Sequence, residues 1–356
     1  MAKLISIFLG AALCLIGSLL QAQNTQEKVD RIMQLKGEER SRMLEAEARK
    51  EGEVMIYTYR VLDETTPFAE GFMKRYPQVK AKVWRGLAID VIERVLAEAR
   101  AGRSSGDIYM GGIAELYSAK EKNRLVKYLS PLRAEYPKEF KDQAGYWVAL
   151  DYIPNVIAYN SRMLRREDIP KDYEELLKEK YQGKIGLTTE PIYILIGLIT
   201  AWGEVKTEEF LRKIVRVQGA HLRRSHTVAA QLLCAGEYEI HVELYAHRIA
   251  DLNSRGCPIE MVIPKPTVAQ IGPIALMNDA PHPYAAMLFY DWLLTKEGMG
   301  KLAERGRLPS RPDVPTKFPM LKDFSSRAEI LSFTEESGKL FPKAIQLIKK
   351  YVTAGR

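Results

Sequence analysis

The chain has 356 residues, with 53 Lys and Arg against 45 Asp and Glu for a formal net charge of +8, and three cysteines. That length fills two lobes of ordinary domain size. The positive charge is spread along the helices with no run dense enough for a nucleic-acid-binding arm, and no Cys/His spacing of a structural zinc site occurs, so nucleic acid is excluded as a partner.

In chain order, residues 1–23 read as a secretory signal peptide. Lys3 precedes an apolar run from Leu4 to Leu20, and Gln21-Ala22-Gln23 follows, which places cleavage after Ala22. An uncleaved anchor is the alternative, because the run is near the minimum needed to span a bilayer. Cys14 sits between Leu13 and Leu15, which speaks against a lipidated N-terminus. After processing, Cys234 and Cys257 remain. Two buried thiols are the preferred reading, with a bridge formed in an oxidising compartment as the alternative.

Residues 24–50 form a charged, helical lead-in that stops at Gly52. Val54 to Tyr59 is a short apolar, β-branched and aromatic run, read as a buried first strand. Thr65 to Arg75 places Phe68, Phe72 and Met73 on one helical face and ends at Tyr76-Pro77. Val79 to Trp84 alternates like a strand, Ile89 to Ala101 returns to helical spacing, and Asp107 to Met110 is a strand ending at Gly111-Gly112. This β-α-β-α-β order argues for an α/β fold with a parallel sheet. A second α/β unit follows, with strands at Tyr152–Tyr159, Gly183–Thr188 and Tyr238–Tyr245. Its helices are Ile192–Gly203, Thr207–Ile214 and Thr227–Ala235. Strands at Ile259–Ile263 and Ile271–Met277 and helices at Pro283–Leu294 and Lys296–Arg305 then return toward the first unit.

No Gly-x-Ser-x-Gly elbow, P-loop or His-Glu-x-x-His is present, so no nucleophile-and-base pairing is visible and the chain is read as a non-enzyme. The five histidines show no metal-ligand spacing on a clear helix, and His241 reads as a packed core residue.

Several segments, in this order and spacing, resemble a known family. They are Glu51-Gly52-Glu53-Val54, Phe72-Met73-Lys74-Arg75-Tyr76-Pro77, Ala158-Tyr159-Asn160, Tyr181-Gln182-Gly183-Lys184-Ile185, Gly236-Glu237, Gly272-Pro273-Ile274-Ala275-Leu276 and Gly306-Arg307-Leu308-Pro309-Ser310. The family is the extracellular solute-binding proteins of ABC importers, in the group of ferric-iron, phosphonate and sugar-phosphate binders. The resemblance implies a two-lobed periplasmic-binding-protein fold of type II, each lobe a mixed sheet flanked by helices, joined by two hinge strands. It places lobe 1 at 51–151 and 259–320, lobe 2 at 152–258, and a C-terminal helical segment at 321–356. It further implies a monomer in the periplasm that closes on a small solute and delivers it to an inner-membrane permease, with no resident cofactor. A transferase on the same fold is the remaining enzyme reading.

The site residues follow from the same resemblance. In lobe 1 they are Thr58, Tyr59 and Arg60 at the end of the first strand, Arg85 at the end of the second, and Gly111 and Gly112, where a ligand could approach the backbone. Surface ion pairs for the arginines and a tight turn for the glycines are the alternatives. In lobe 2 they are Glu190, the helix start Ser225-His226-Thr227, and Glu243 and Tyr245 on one face of a strand. Free N–H groups and the helix dipole at Ser225–Thr227 suit an anion, against a plain helix cap. An organic or phosphorylated anion is therefore the expected solute. Ferric iron is the alternative, held by Tyr245, Glu243 and His247. The iron-binding branch usually carries two adjacent tyrosines, and this chain has Leu244-Tyr245 there.

Overall fold

The computed structural model describes residues 25–353, so the signal-peptide expectation for residues 1–23 lies outside the described residues. The strands are β1 (Glu53–Thr58), β2 (Lys80–Arg85), β3 (Ile108–Met110), β4 (Trp147–Asn160), β5 (Ile185–Thr188), β6 (His221–Arg223), β7 (Ile240–Tyr245), β8 (Ile259–Val262), β9 (Thr267–Leu276), β10 (Leu308–Pro309) and β11 (Ile330–Ser332). Two units result. Unit 1 holds the described chain up to Asp151 with Ile271–Arg305 and Pro309–Val314; unit 2 holds Tyr152–Gln270, Gly306–Leu308 and the chain from Pro315 onward. β4 leaves unit 1 after Asp151, and β9 returns to it after Gln270.

In unit 1, β1 pairs in parallel with β2 and β3, and β3 pairs antiparallel with the second half of β9, Ile108 facing Leu276. Helices Leu62–Arg75, Ala88–Arg100 and Pro283–Leu293 cover this sheet. Val54, Ile56, Phe68, Phe72, Ile108, Leu276 and Phe289 meet in the core, so the expected apolar faces are the buried ones. The helical lead-in is part of this unit. A helix over 25–34 is followed by Gly37–Glu51, which stops at Gly52 with φ 75°. From that second helix Arg40 reaches Asp291 at 2.7 Å and the Tyr128 hydroxyl. Asp107 accepts the Met55 and His282 N–H groups, both at 2.7 Å, and Glu51 accepts the Ala285 N–H at 2.8 Å. Two carboxylates thus cap the start of Pro283–Leu293, where an anion is favoured by the free N–H groups and the dipole.

In unit 2, β7 is antiparallel to β4 and parallel to β5, and β5 is parallel to β6. β8 runs antiparallel to the end of β4, from Ile157↔Val262 to Asn160↔Ile259. The helix His226–Ala235 ends at Gly236 with φ 84°, a left-handed conformation that other residues adopt at a cost. Gly197 lies so close to Val268 that any side chain there would collide with it, which fixes helix Ile192–Trp202 against β9.

Four expectations are corrected. The chain re-enters unit 1 at Ile271 and not at 259, because β8 completes its ladder on the unit-2 half of β4. The tail from Pro315 folds with unit 2: Ile330–Ser332 pairs with Thr267–Ala269, and Phe341–Tyr351 is tied by Tyr351 and Lys350 to Glu208. Residues 246–254, given no element from sequence, form the helix Ala246–Ser254 directly after β7. Cys234 and Cys257 form a disulfide, with Cα atoms 5.7 Å apart, in place of two buried thiols.

Candidate functional site

The site forms where β7 ends. Alternation along that strand puts Glu243 and Tyr245 on one face, and both line a cavity of about 240 Å³ within unit 2. Glu243 is only 2% exposed. Its carboxylate accepts the Thr188 hydroxyl from β5 and lies 2.8 Å from Nε2 of His226, the first residue of its helix. Burial opposes a charge on that imidazole, but the field of Glu243 and the hydrogen bond to it outweigh burial and raise the His226 pKa. The Nε2–H of the ring donates to the carboxylate. His226 also stacks on Tyr245, ring centroids 4.1 Å apart and planes 12° apart. On the strand after the next, Gln270 donates its amide to the Tyr245 hydroxyl at 3.3 Å.

Around this floor the wall is rich in helix starts. Pro191, Ile192 and Tyr193 line the cavity at the beginning of Ile192–Trp202, which has no side-chain cap, and Tyr245 is itself the N-cap of Ala246–Ser254. The first N–H groups of a helix have no acceptor within it, and they make such an end attractive to negative charge. Arg224 and Glu190, both exposed, complete the lining together with the buried Asn155.

Of the expected lobe-2 residues, the structure gathers Glu190, His226, Glu243 and Tyr245 at one cavity. Ser225 caps its helix by accepting the Thr227 N–H at 3.2 Å and does not line the cavity; Thr227 is exposed and turned to Arg248. His247 lies against Tyr245, rings 5.8 Å apart, with its Nε2 3.4 Å from Arg307. The residues that sequence reasoning missed are Asn155, Thr188, Arg224 and Gln270. Thr188 and Arg224 adjoin segments already singled out. Asn155 and Gln270 were marked only by being amides inside apolar strands.

The lobe-1 residues have other occupations within unit 1. Arg60 is 5% exposed and forms a two-pronged ion pair with Asp151, with Glu64 at 3.4 Å. Burial disfavours its charge, Asp151 more than offsets this, and its pKa is raised. This corrects the expectation of a ligand-binding or surface arginine: it is a buried pair. The Thr58 hydroxyl accepts the Arg60 N–H at 3.0 Å. Gly111 and Gly112 make room for Tyr109, whose hydroxyl sits on the first and donates to the carbonyl of the second at 3.1 Å; Tyr59 packs beside Gly112. Their smallness therefore has a packing reason. Arg85 is exposed at the end of β2. A larger hollow of about 620 Å³, beside helix Gly37–Glu51, is lined by Leu44, Tyr76 and Trp292 and by none of the expected site residues.

Among the described residues no group of three or more His, Cys, Asp and Glu is placed to hold a metal ion. Of the expected iron ligands, Glu243 and Tyr245 line the cavity and His247 does not. Glu243 is bonded to Thr188 and His226, and His247 meets the face of Tyr245 with Arg307 at its Nε2.

Residues 68–330 match the profile of a family described as bacterial extracellular solute-binding protein. The chain belongs to that family. Curated relatives of this solute-binding protein include an uncharacterized protein of Haemophilus influenzae, 24% identical over 85% of this chain and 92% of the relative. A probable ABC transporter periplasmic-binding protein of Sinorhizobium fredii is 25% identical over 65% of this chain and 67% of the relative. Solved structures share the fold. The Trichodesmium protein IdiA (FutA) in complex with iron and citrate has a TM-score of 0.73 at 21% identity, over 84% of this chain and 99% of that one. The periplasmic binding protein AfuA of Actinobacillus pleuropneumoniae, with fructose-6-phosphate bound, has a TM-score of 0.63 at 21% identity, over 85% of this chain and 98% of that one.

Proposed function

We propose that this solute-binding protein captures a small organic or phosphorylated anion in the unit-2 cavity and delivers it unaltered to an inner-membrane ABC permease. The observation that carries the reading is the cavity wall itself: an uncapped helix start at Ile192, His226 with its pKa raised by Glu243, and the exposed Arg224 around one space. Each offers a donor or positive charge to an anion, and charge-assisted hydrogen bonds are the stronger ones. Glu243 at the floor repels a bare oxyanion but accepts hydroxyl hydrogens, so the favoured solute carries hydroxyl groups beside its charge. The fructose-6-phosphate bound by AfuA has that character.

Calorimetric titration with fructose 6-phosphate, citrate, inorganic phosphate and glucose tests the reading. A hydroxylated anion should bind more tightly than phosphate or glucose, and Arg224→Ala should weaken it about tenfold or more, since hydrogen bonds to charged groups contribute roughly 1.5–3 kcal/mol. Binding of glucose alone, or an Arg224→Ala variant as tight as the parent, would overturn it.

Ferric iron is the second reading, favoured by the iron-bound neighbour and by Tyr245 at the cavity. It requires Glu243 to give up Thr188 and His226. Ferric citrate should produce no phenolate-to-iron absorption band; a band abolished by Tyr245→Phe would replace the anion reading with this one. Neither reading includes catalysis, and a panel solute recovered chemically unchanged after incubation is the expected outcome.

A further inference from the structure

We infer that the Cys234–Cys257 disulfide is the positioning device of the unit-2 cavity, tying together the far ends of two helices whose near ends hold His226 against Tyr245. The inference concerns the geometry of the cavity walls and does not depend on which solute they bind.

The first helix, His226–Ala235, starts at the cavity with His226 and carries Cys234 in its last turn. The second, Ala246–Ser254, starts at the cavity from Tyr245 and is followed by Arg255, Gly256 and Cys257. At the near end the two rings are 4.1 Å apart, and at the far end the two cysteine Cα atoms are 5.7 Å apart. Contacts at both ends make the helices run side by side in one direction, each roughly 14 Å long at 1.5 Å per residue.

The chain enters the two helices differently. The second leaves β7 without a break, so Tyr245 is fixed by the strand. The first is joined to β6 through Arg224 and Ser225, buries Ala229, Ala230 and Leu233, and accepts the Tyr238 hydroxyl at the Ala229 carbonyl at 2.5 Å. Its far end is held by the disulfide and by Asn160, whose amide donates to the Leu233 and Cys234 carbonyls at 2.9 and 3.4 Å. A hydrogen-bonded helix transmits displacement as a rigid element. Slack at Cys234 is therefore felt at His226, where the 2.8 Å bond to Glu243 tolerates only a few tenths of an ångström.

The charged and titratable groups around His226 are Glu243, Tyr245, Tyr193, Arg224, Glu190 and His241. None of them belongs to the tether. The tether can be opened without touching them: a dithiol reductant supplies two electrons and two protons, yielding two protein thiols and the reductant's cyclic disulfide.

The test follows the imidazole C–H signals of the ligand-free protein by NMR while pH is varied, before and after dithiothreitol and in the Cys234→Ser/Cys257→Ser variant. His226 should titrate lower in both opened forms, moving toward the ordinary imidazole value as its bond to Glu243 loosens. His282, paired with Asp107 in unit 1, should not move. A folded reduced protein with His226 unchanged overturns the inference, as does an equal drift of both histidines. Should the opened forms lose their native far-UV spectrum, one glycine inserted between Gly256 and Cys257 keeps the bridge and lengthens the tether. His226 must then shift; if it does not, the inference fails. A disulfide that merely stabilised the unit would lower the melting temperature and leave the His226 titration in place.

Discussion

Two histidines bonded to Glu243, His226 to its side chain and His241 to its backbone N–H, respond to pH in opposite senses. His226 has a raised pKa through Glu243, so the stability it contributes is full below the unfolded value of about 6.5 and is lost as pH rises through its folded value. His241 is fully buried, its Nδ1 accepting the Glu243 N–H at 3.2 Å, and burial pushes its pKa down to about 3. Acid therefore protonates it in the unfolded chain first, and stability falls between about pH 6.5 and 3. At about 1.4 kcal/mol per pH unit, lowering pH from 7 to 5 removes about 2 kcal/mol through this residue. In urea unfolding, His241→Gln should lose about that much less than the parent over this interval; an equal loss would assign the acid sensitivity elsewhere. Arg60 gives a second residue-scale prediction. Arg60→Ala leaves Asp151 buried without its partner, and chemical unfolding should show a loss of roughly 3–5 kcal/mol, as for other broken buried pairs. A loss below about 1 kcal/mol would mean that the pair behaves as if exposed.

Elements decide how the cavity is framed. Helix His226–Ala235 depends at its start on Ser225 and at its end on Gly236 and Cys234. Ser225→Ala should cost about 1 kcal/mol of stability by leaving the Thr227 N–H without its acceptor, measured by urea unfolding. Because Ser225 does not line the cavity, solute affinity should fall far less than in Arg224→Ala. Opening the disulfide removes a cross-link over a sequence separation of 23. The chain-entropy estimate for such a loop is roughly 3 kcal/mol, so the reduced protein should melt distinctly below the oxidised one. The capping residues are readable in advance because their chemistry is local. Ser before an apolar helix and glycine after it are visible in the chain, and both stand where expected. The helix Ala246–Ser254 has no such punctuation, following β7 without a breaker, and so it escaped the reading.

At the scale of the whole molecule, the alternation of strands and helices specified an α/β protein, and the ordered segments from Glu51 to Ser310 specified its family. The N-terminal pattern of Lys3 and an apolar run makes a further prediction. N-terminal sequencing of the exported protein should begin near Gln23, after loss of about 22 residues, within the usual signal-peptide length; recovery of intact Met1 in that fraction would contradict it.

What the sequence by itself determined is what repeats along a chain. Period-two alternation put Glu243 and Tyr245 on one face of β7, glycines marked helix ends, and apolar spacing named the core helices; each follows from backbone geometry within a few residues. What only the tertiary structure decided is which distant groups meet. Arg60 looks the same in the chain whether it waits for a ligand or not, and Asp151, 91 positions away, answers the question. Asn155 and Gln270 join the cavity because β4 and β9 are brought to it, Cys257 meets Cys234 because two helices run side by side, and the tail from Pro315 joins unit 2 through Ile330–Ser332 on β9. Local conformational preferences contain no term for contacts between residues far apart in sequence, and a buried charge or a free thiol is recognised only by such contacts.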